Sequence, residues 1–167
     1  MSLTAIAIAT SLAQSQSAQP DAEAAKARME AALTATGFTF SKTSSGLSFR
    51  LDFTNGSKNT IVLVGNTPYS LRSYQAHMIY TTVWYSKDKP SDALIQRATL
   101  MSKKVGGFYG FKDAQGMWSI RFSVHYDISD LPAVPDKDQP AVKRLKDTIY
   151  FVNQVGQETE KELAGQV

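Results

Sequence analysis

The sequence predicts an α+β fold: an antiparallel sheet with helices on one face, in the order helix–strands–helix–hairpin–helix. Three observations carry this reading. Leu47, Phe49, Leu51 and Phe53, and later Trp118, Ile120, Phe122, Val124 and Tyr126, alternate with polar residues at the period of a strand with one buried face. Three other stretches space their apolar residues three and four apart, as helices do. The turn signals Asn55-Gly56 and Asp113-Ala114-Gln115-Gly116 leave room for hairpins but not for the crossovers of a parallel sheet.

The elements follow in order. Asp21 and Glu23 place carboxylates where a helix start favours them. Ala22, Ala25, Met29, Ala32 and Leu33 give a helix over about 20–36, stopped by Gly37. Phe38 and Phe40 begin the period of two, and Ser44-Ser45-Gly46 makes a turn. The strand 47–53 returns through Ile61-Val62-Leu63-Val64, and residues 66–69 form a loop. Residues 73–86 make a long strand with bulky side chains on both faces, which places it where both are at least partly covered. Ser91 is an N-cap for a helix through Leu94, Ala98, Met101 and Val105, with Lys103 and Lys104 in its last turn and Gly106-Gly107 ending it. Phe108 to Lys112 is a short strand, paired through the 113–116 turn with 118–127. Pro140 opens a final helix carrying Val142, Leu145, Ile149, Val152, Gly156, Thr159 and Leu163. Gly156 lies inside it, where a glycine marks a kink or a close approach. The core is expected from Leu47, Phe49, Leu51, Phe53, Ile120, Phe122 and Val124 against Met29, Leu33, Leu145, Ile149 and Val152.

Length and composition fit one domain of 167 residues, 43% apolar and 20% charged. Residues 20–167 form it, and 1–19 form a signal-peptide remnant or flexible N-terminal extension. The apolar stretch 4–13 and the small residues after it point to export to the periplasm or outside the cell, with a cytoplasmic location as the other reading. No run is long enough to span a membrane.

The absence of cysteine excludes disulfides, thiolate metal sites and Cys nucleophiles. His77 and His125 are the two imidazoles, and strand histidines of this kind are structural or solvent-facing. No nucleotide loop, nucleophile elbow, zincin or calcium motif occurs, so no catalytic residue, cofactor or metal is assigned. Residues 42–121 carry a net charge of +7, read as a solvated sheet face and helix flank. The run Lys104-Val105-Gly106-Gly107-Phe108-Tyr109-Gly110-Phe111 echoes an RNA-recognition strand, but its spacing and the element order differ, and it is read as a core strand. No nucleic-acid partner is expected.

The stretch Gly37 to Leu163 resembles the YbjN-type family, labelled putative sensory transduction regulators, within the type III secretion chaperone-like fold. The resemblance rests on Gly37-Phe38-Thr39-Phe40, on helix Asp92–Lys104 running into Val105–Phe111, and on Asp113-Ala114-Gln115-Gly116. It continues through strand Trp118–Asp127, the Leu131-Pro132 turn and helix Val142–Leu163. Gln96-Arg97-Ala98 stands where the family tends to have Asn. The resemblance implies dimeric, non-enzymatic binders of other protein segments and carries no catalytic residues.

The expected function is a non-enzymatic, chaperone-like or regulatory domain that binds another polypeptide. Tyr80, Val83, Trp84 and Tyr85 are the candidate contact residues, because helices on one side leave part of that strand needing cover. The same surface, or the N-terminal segment, is expected to make a homodimer. The second reading is a small-molecule or lipid binder with a pocket between the sheet and the C-terminal helix.

Overall fold

In the computed structural model, residues 22–55, 58–66, 68–71, 74–101 and 106–164 are described. The expected N-terminal extension, residues 1–19 with the apolar run 4–13, lies outside them, as do Gly56, Thr67, Lys103, Lys104 and Val105. The first hairpin forms where the alternation places it. Strand β2 (Ser48–Asn55) pairs antiparallel with β3 (Lys58–Gly65), and Asn55 is opposite Lys58. Ahead of them, helix α1 (Ala22–Thr36) ends at Gly37, whose φ of 79° only glycine adopts at no steric cost. A two-residue strand β1 (Ser41–Lys42) then pairs with Phe49 and Arg50 of β2.

Strand β4 (Tyr69–Leu71) occupies part of the expected 66–69 loop and pairs with the start of β5 (Tyr74–Ser86). Helix α2 (Asp92–Leu100) starts where expected: the Ser91 hydroxyl accepts from the Leu94 amide at 3.2 Å. It ends sooner than expected, with Met101 as its C-cap and Leu100 81% exposed. Gly106 and Gly107 are therefore not its stop. Gly107 begins strand β6 (Gly107–Lys112). A Cβ on Gly106 would lie 2.6 Å from the Phe122 ring and 2.7 Å from the Ser123 carbonyl, so this backbone passes the sheet closer than any side chain permits. Strand β7 (Trp118–Asp127) follows a turn in which the Asp113 carboxylate accepts from the amides of Gln115 and Met117. Helix α3 (Pro140–Ala164) closes the described chain.

The strand order is β1-β2-β3-β5-β7-β6, all pairs antiparallel, with β4 continuing beside β5 in the position β3 has left. Residues directly opposite in an antiparallel sheet share a face. Phe49, Val64, Ile79 and Val124 make one such row, and Leu51, Val62, Thr81, Phe122 and Phe108 the next. Both rows pack against Met29 and Leu33 of α1 and Leu145, Ile149 and Val152 of α3. Ile120 joins Val83, Ala98 of α2 and Leu163 of α3 in a second, smaller cluster. The three described helices thus lie on one face.

Leu47 departs from its expected place in the core. It precedes the first rung of the β2–β3 ladder, Ser48 opposite Gly65, while the chain is still bending out of the 44–46 turn, and it is 65% exposed. Phe53 is only partly buried; its ring meets Phe38 at 5.5 Å and Tyr150 at 6.0 Å, at the margin of the core.

Gly156 marks a close approach of α3 to the sheet. A Cβ there would sit 2.7 Å from Thr81 Cγ2, and the Thr81 hydroxyl is held by donation to the Ile61 carbonyl at 2.8 Å. Gly156→Ala gains about 1 kcal/mol of helix propensity but forces an overpacked contact costing about 1–3 kcal/mol. The expected outcome in urea unfolding is a net loss of stability. Thr81→Ser, which removes the methyl and keeps the hydroxyl, recovers most of that loss in the double variant.

Candidate functional site

The residues between the core rows face away from the helices. Arg50, Leu63, Tyr80, Ser123 and Gly107 stand opposite one another across the sheet. Thr82, Arg121 and Tyr109 form the next row, and Tyr85, Ser119 and Phe111 the one beyond. Ile61 and Met78 fall on the same side by register with Asp52 and His125. The result is a sheet face on which Ile61, Leu63, Met78, Tyr80, Tyr109 and Phe111 are half-buried, on the side opposite the described helices.

Arg121 is the centre of this face. Its guanidinium carbon lies 4.0 Å from the ring centroid of Phe111 and 4.8 Å from that of Tyr80, both within cation–π range. Its Nε is buried and has no hydrogen-bond acceptor. Tyr109 stacks on Phe111 at 6.0 Å and donates its hydroxyl to the Met78 sulfur at 3.4 Å. Burial pushes the Tyr109 phenol above its ordinary pKa, against the pull of the neighbouring guanidinium. The Tyr80 hydroxyl reaches Ser48 Oγ at 3.4 Å, and that of Tyr85 reaches Asp113 Oδ2 at 3.5 Å.

The four candidate residues of β5 do not share this face. The β5–β7 register shifts between Thr82 and Trp84. A bulge of this kind adds one residue to one strand and reverses the alternation beyond it. Trp84 thereby falls opposite Ile120 and packs against the second core cluster, and Val83 is 6% exposed within that cluster. Val83 and Trp84 therefore leave the open surface. Tyr80 and Tyr85 remain on it, half-buried and 57% exposed respectively. The run 108–111 is also not wholly core: Phe108 packs inward, while Tyr109 and Phe111 point to the open side. Sequence reading passed over Arg121, Tyr109 and Phe111. Their signal was present as the polar-side positions of one strand and the odd positions of its hairpin partner.

Among the described residues, a small cleft beneath α2 is lined by Ile95, Ala98, Phe108 and Ile120, and two larger ones adjoin the sheet. Beyond Val62 and Thr81 the ladder between β3 and β5 stops, and the strands part over α3. The opening, about 200 Å³, is lined by Asn59, Thr60, Ile61, Thr82, Gly156 and Glu160 among others, and the buried Thr60 hydroxyl has no partner there. The second cleft, at the end of β7, brings together His125, Asp127, Asp130, Arg144 and Asp147. In it Arg144 pairs with Asp130, and the Tyr126 hydroxyl donates to the Ala141 carbonyl at 2.6 Å. Burial pushes the Tyr126 phenol up to about 12. Thr148 donates its hydroxyl to the Arg144 carbonyl at 2.8 Å, so it is engaged with its own helix. Among the described residues no group of three or more His, Asp or Glu side chains is placed to hold a metal ion, and no described helix is long and apolar enough to cross a membrane. Comparison with protein-family models and with curated proteins gives no match.

The two histidines differ in kind. His125 is exposed on the open side, whereas His77 faces the core and is fully buried. The His77 Nδ1 contacts the Gly65 carbonyl, which can only accept, so Nδ1 carries the hydrogen. Nε2 is left buried without a partner, and burial holds the His77 pKa below 6.5, against the opposing effect of the Gly65 bond. The unfolded chain then binds a proton that the folded chain refuses. Stability is full above the unfolded pKa of about 6.5 and falls as the pH drops from there toward the lower folded value. Thermal melts from pH 7.5 to 5.5 are expected to show a falling Tm. His77→Gln is expected to flatten that slope relative to its own value at pH 7.5.

Proposed function

We propose that the protein is a non-enzymatic binding domain that recognises another polypeptide through the open face of its sheet. One observation carries this reading. The three described helices pack on one side, and the other side presents Leu63, Met78, Tyr80, Tyr109 and Phe111 around Arg121, with Tyr85 extending into solvent. Contiguous surface of this kind on a monomer marks an interaction site. Tyrosine and arginine are also the residue types that anchor protein contacts most often. The element order, which resembles that of chaperone-like binders, supports the same reading, and a second copy of the chain is one form such a partner takes. The opening between β3 and β5 favours a small ligand as the second reading. Its volume is below the roughly 300–1,000 Å³ typical of ligand sites.

Photo-crosslinking in the native cell tests this. A photoreactive phenylalanine analogue replaces Tyr85 on the open face or Tyr150, 48% exposed on α3, as a control. Discrete polypeptide adducts from position 85 and none from 150 are expected. Adducts of the chain with itself identify the homodimer, which should also show a Tm that rises with protein concentration. Adducts confined to position 150, or none from either, overturn the proposal.

A further inference from the structure

Arg121, at the centre of the open face, has no counter-charge among the described residues. Arg50, Arg97 and Arg144 each hold a carboxylate, from Asp52, Glu162 and Asp130 respectively. Arg121 holds none among the described residues. Asp52 and Asp113 are committed elsewhere. Asp52 accepts from Arg50 Nε at 3.0 Å and Nη2 at 2.7 Å, and Asp113 caps its turn through the amides of Gln115 and Met117. Phe111 and Tyr80 lie at cation–π distance from the guanidinium, the Tyr109 phenol is its hydrogen-bonding neighbour, and Nε is buried without an acceptor. The rings also fix the group in place, so little side-chain freedom is lost when an acceptor arrives.

Resting on the reading that this face binds a polypeptide, we propose that Arg121 is its anchor and that the partner segment presents an Asp or Glu carboxylate flanked by apolar side chains. The carboxylate meets the guanidinium end-on at its two Nη groups in a fork, and the flanking residues lie on Leu63, Met78, Tyr80 and Phe111. A nucleic-acid backbone fits less well. Phosphate tracking needs several cations in a line, and on this face the other described arginine, Arg50, is already paired.

Pentapeptide libraries with apolar flanking positions and a central Glu, Gln or phosphoserine, passed over the immobilised full chain, test the inference. The variants Arg121→Met and Arg121→Lys are run beside it after their melting curves are checked. Central Glu is expected to be enriched at least about tenfold over Gln on the native chain. That preference should be lost with Arg121→Met and weakened with Arg121→Lys, which keeps the charge and loses the fork. Equal retention of Glu and Gln, or preference for phosphoserine alone, overturns the inference and leaves the open-face proposal standing. Failure to retain any library, with position 85 still crosslinking to a polypeptide, does the same. Failure of both experiments overturns the two together.

Discussion

The seating of α3 against β5 sets the place of every other element. Gly156 lets the helix backbone approach Thr81, and Leu145, Ile149 and Val152 then meet the rows of β2, β3, β5 and β7 directly. Because side chains alternate strictly along a strand, this one contact fixes which residues of the sheet are dry and which are not. The helix covers one face only. The other receives the residues left over by parity, and these include Tyr80, Tyr85, Tyr109 and Phe111 beside polar positions such as Arg50, Thr82 and Ser123.

The bulge at Val83 modifies that rule at one point. Without it, Trp84 would stand beside Thr82 and Arg121 on the open side. With it, Val83 and Trp84 both turn toward Ile120, Ala98 and Leu163, and a second cluster forms beneath α2. The same change of course coincides with the parting of β5 from β3, so the opening over Gly156 and the second cluster arise together.

Much of this was legible in the sequence, because the relevant signals are local. Alternation at 49–53 and 118–126, the Ser91 cap, the Gly37 stop and the spacing of α3 each act within a few residues. What was not legible depends on pairing between distant segments. The exposure of Leu47 follows from where the ladder with β3 begins, and the inward turn of Trp84 from a register with β7 that no local pattern encodes. The candidate site suffered most. It is assembled from β3, β5, β6 and β7, and its central residue, Arg121, reads along its own strand as an ordinary polar position.

The strand order also governs how the molecule can be assembled in time. The β2–β3 and β6–β7 hairpins close short loops and can form early. The β5–β7 ladder, which joins them, cannot begin until α2 and β6 have been made between its strands. α1 waits longer, since the α3 residues that cover Met29 and Leu33 come from the far end of the chain. Such non-local closure makes folding slow for a domain of this size. During synthesis α1 and the first hairpin are made before α3, so the apolar side chains that α3 covers stay open until that helix has been made.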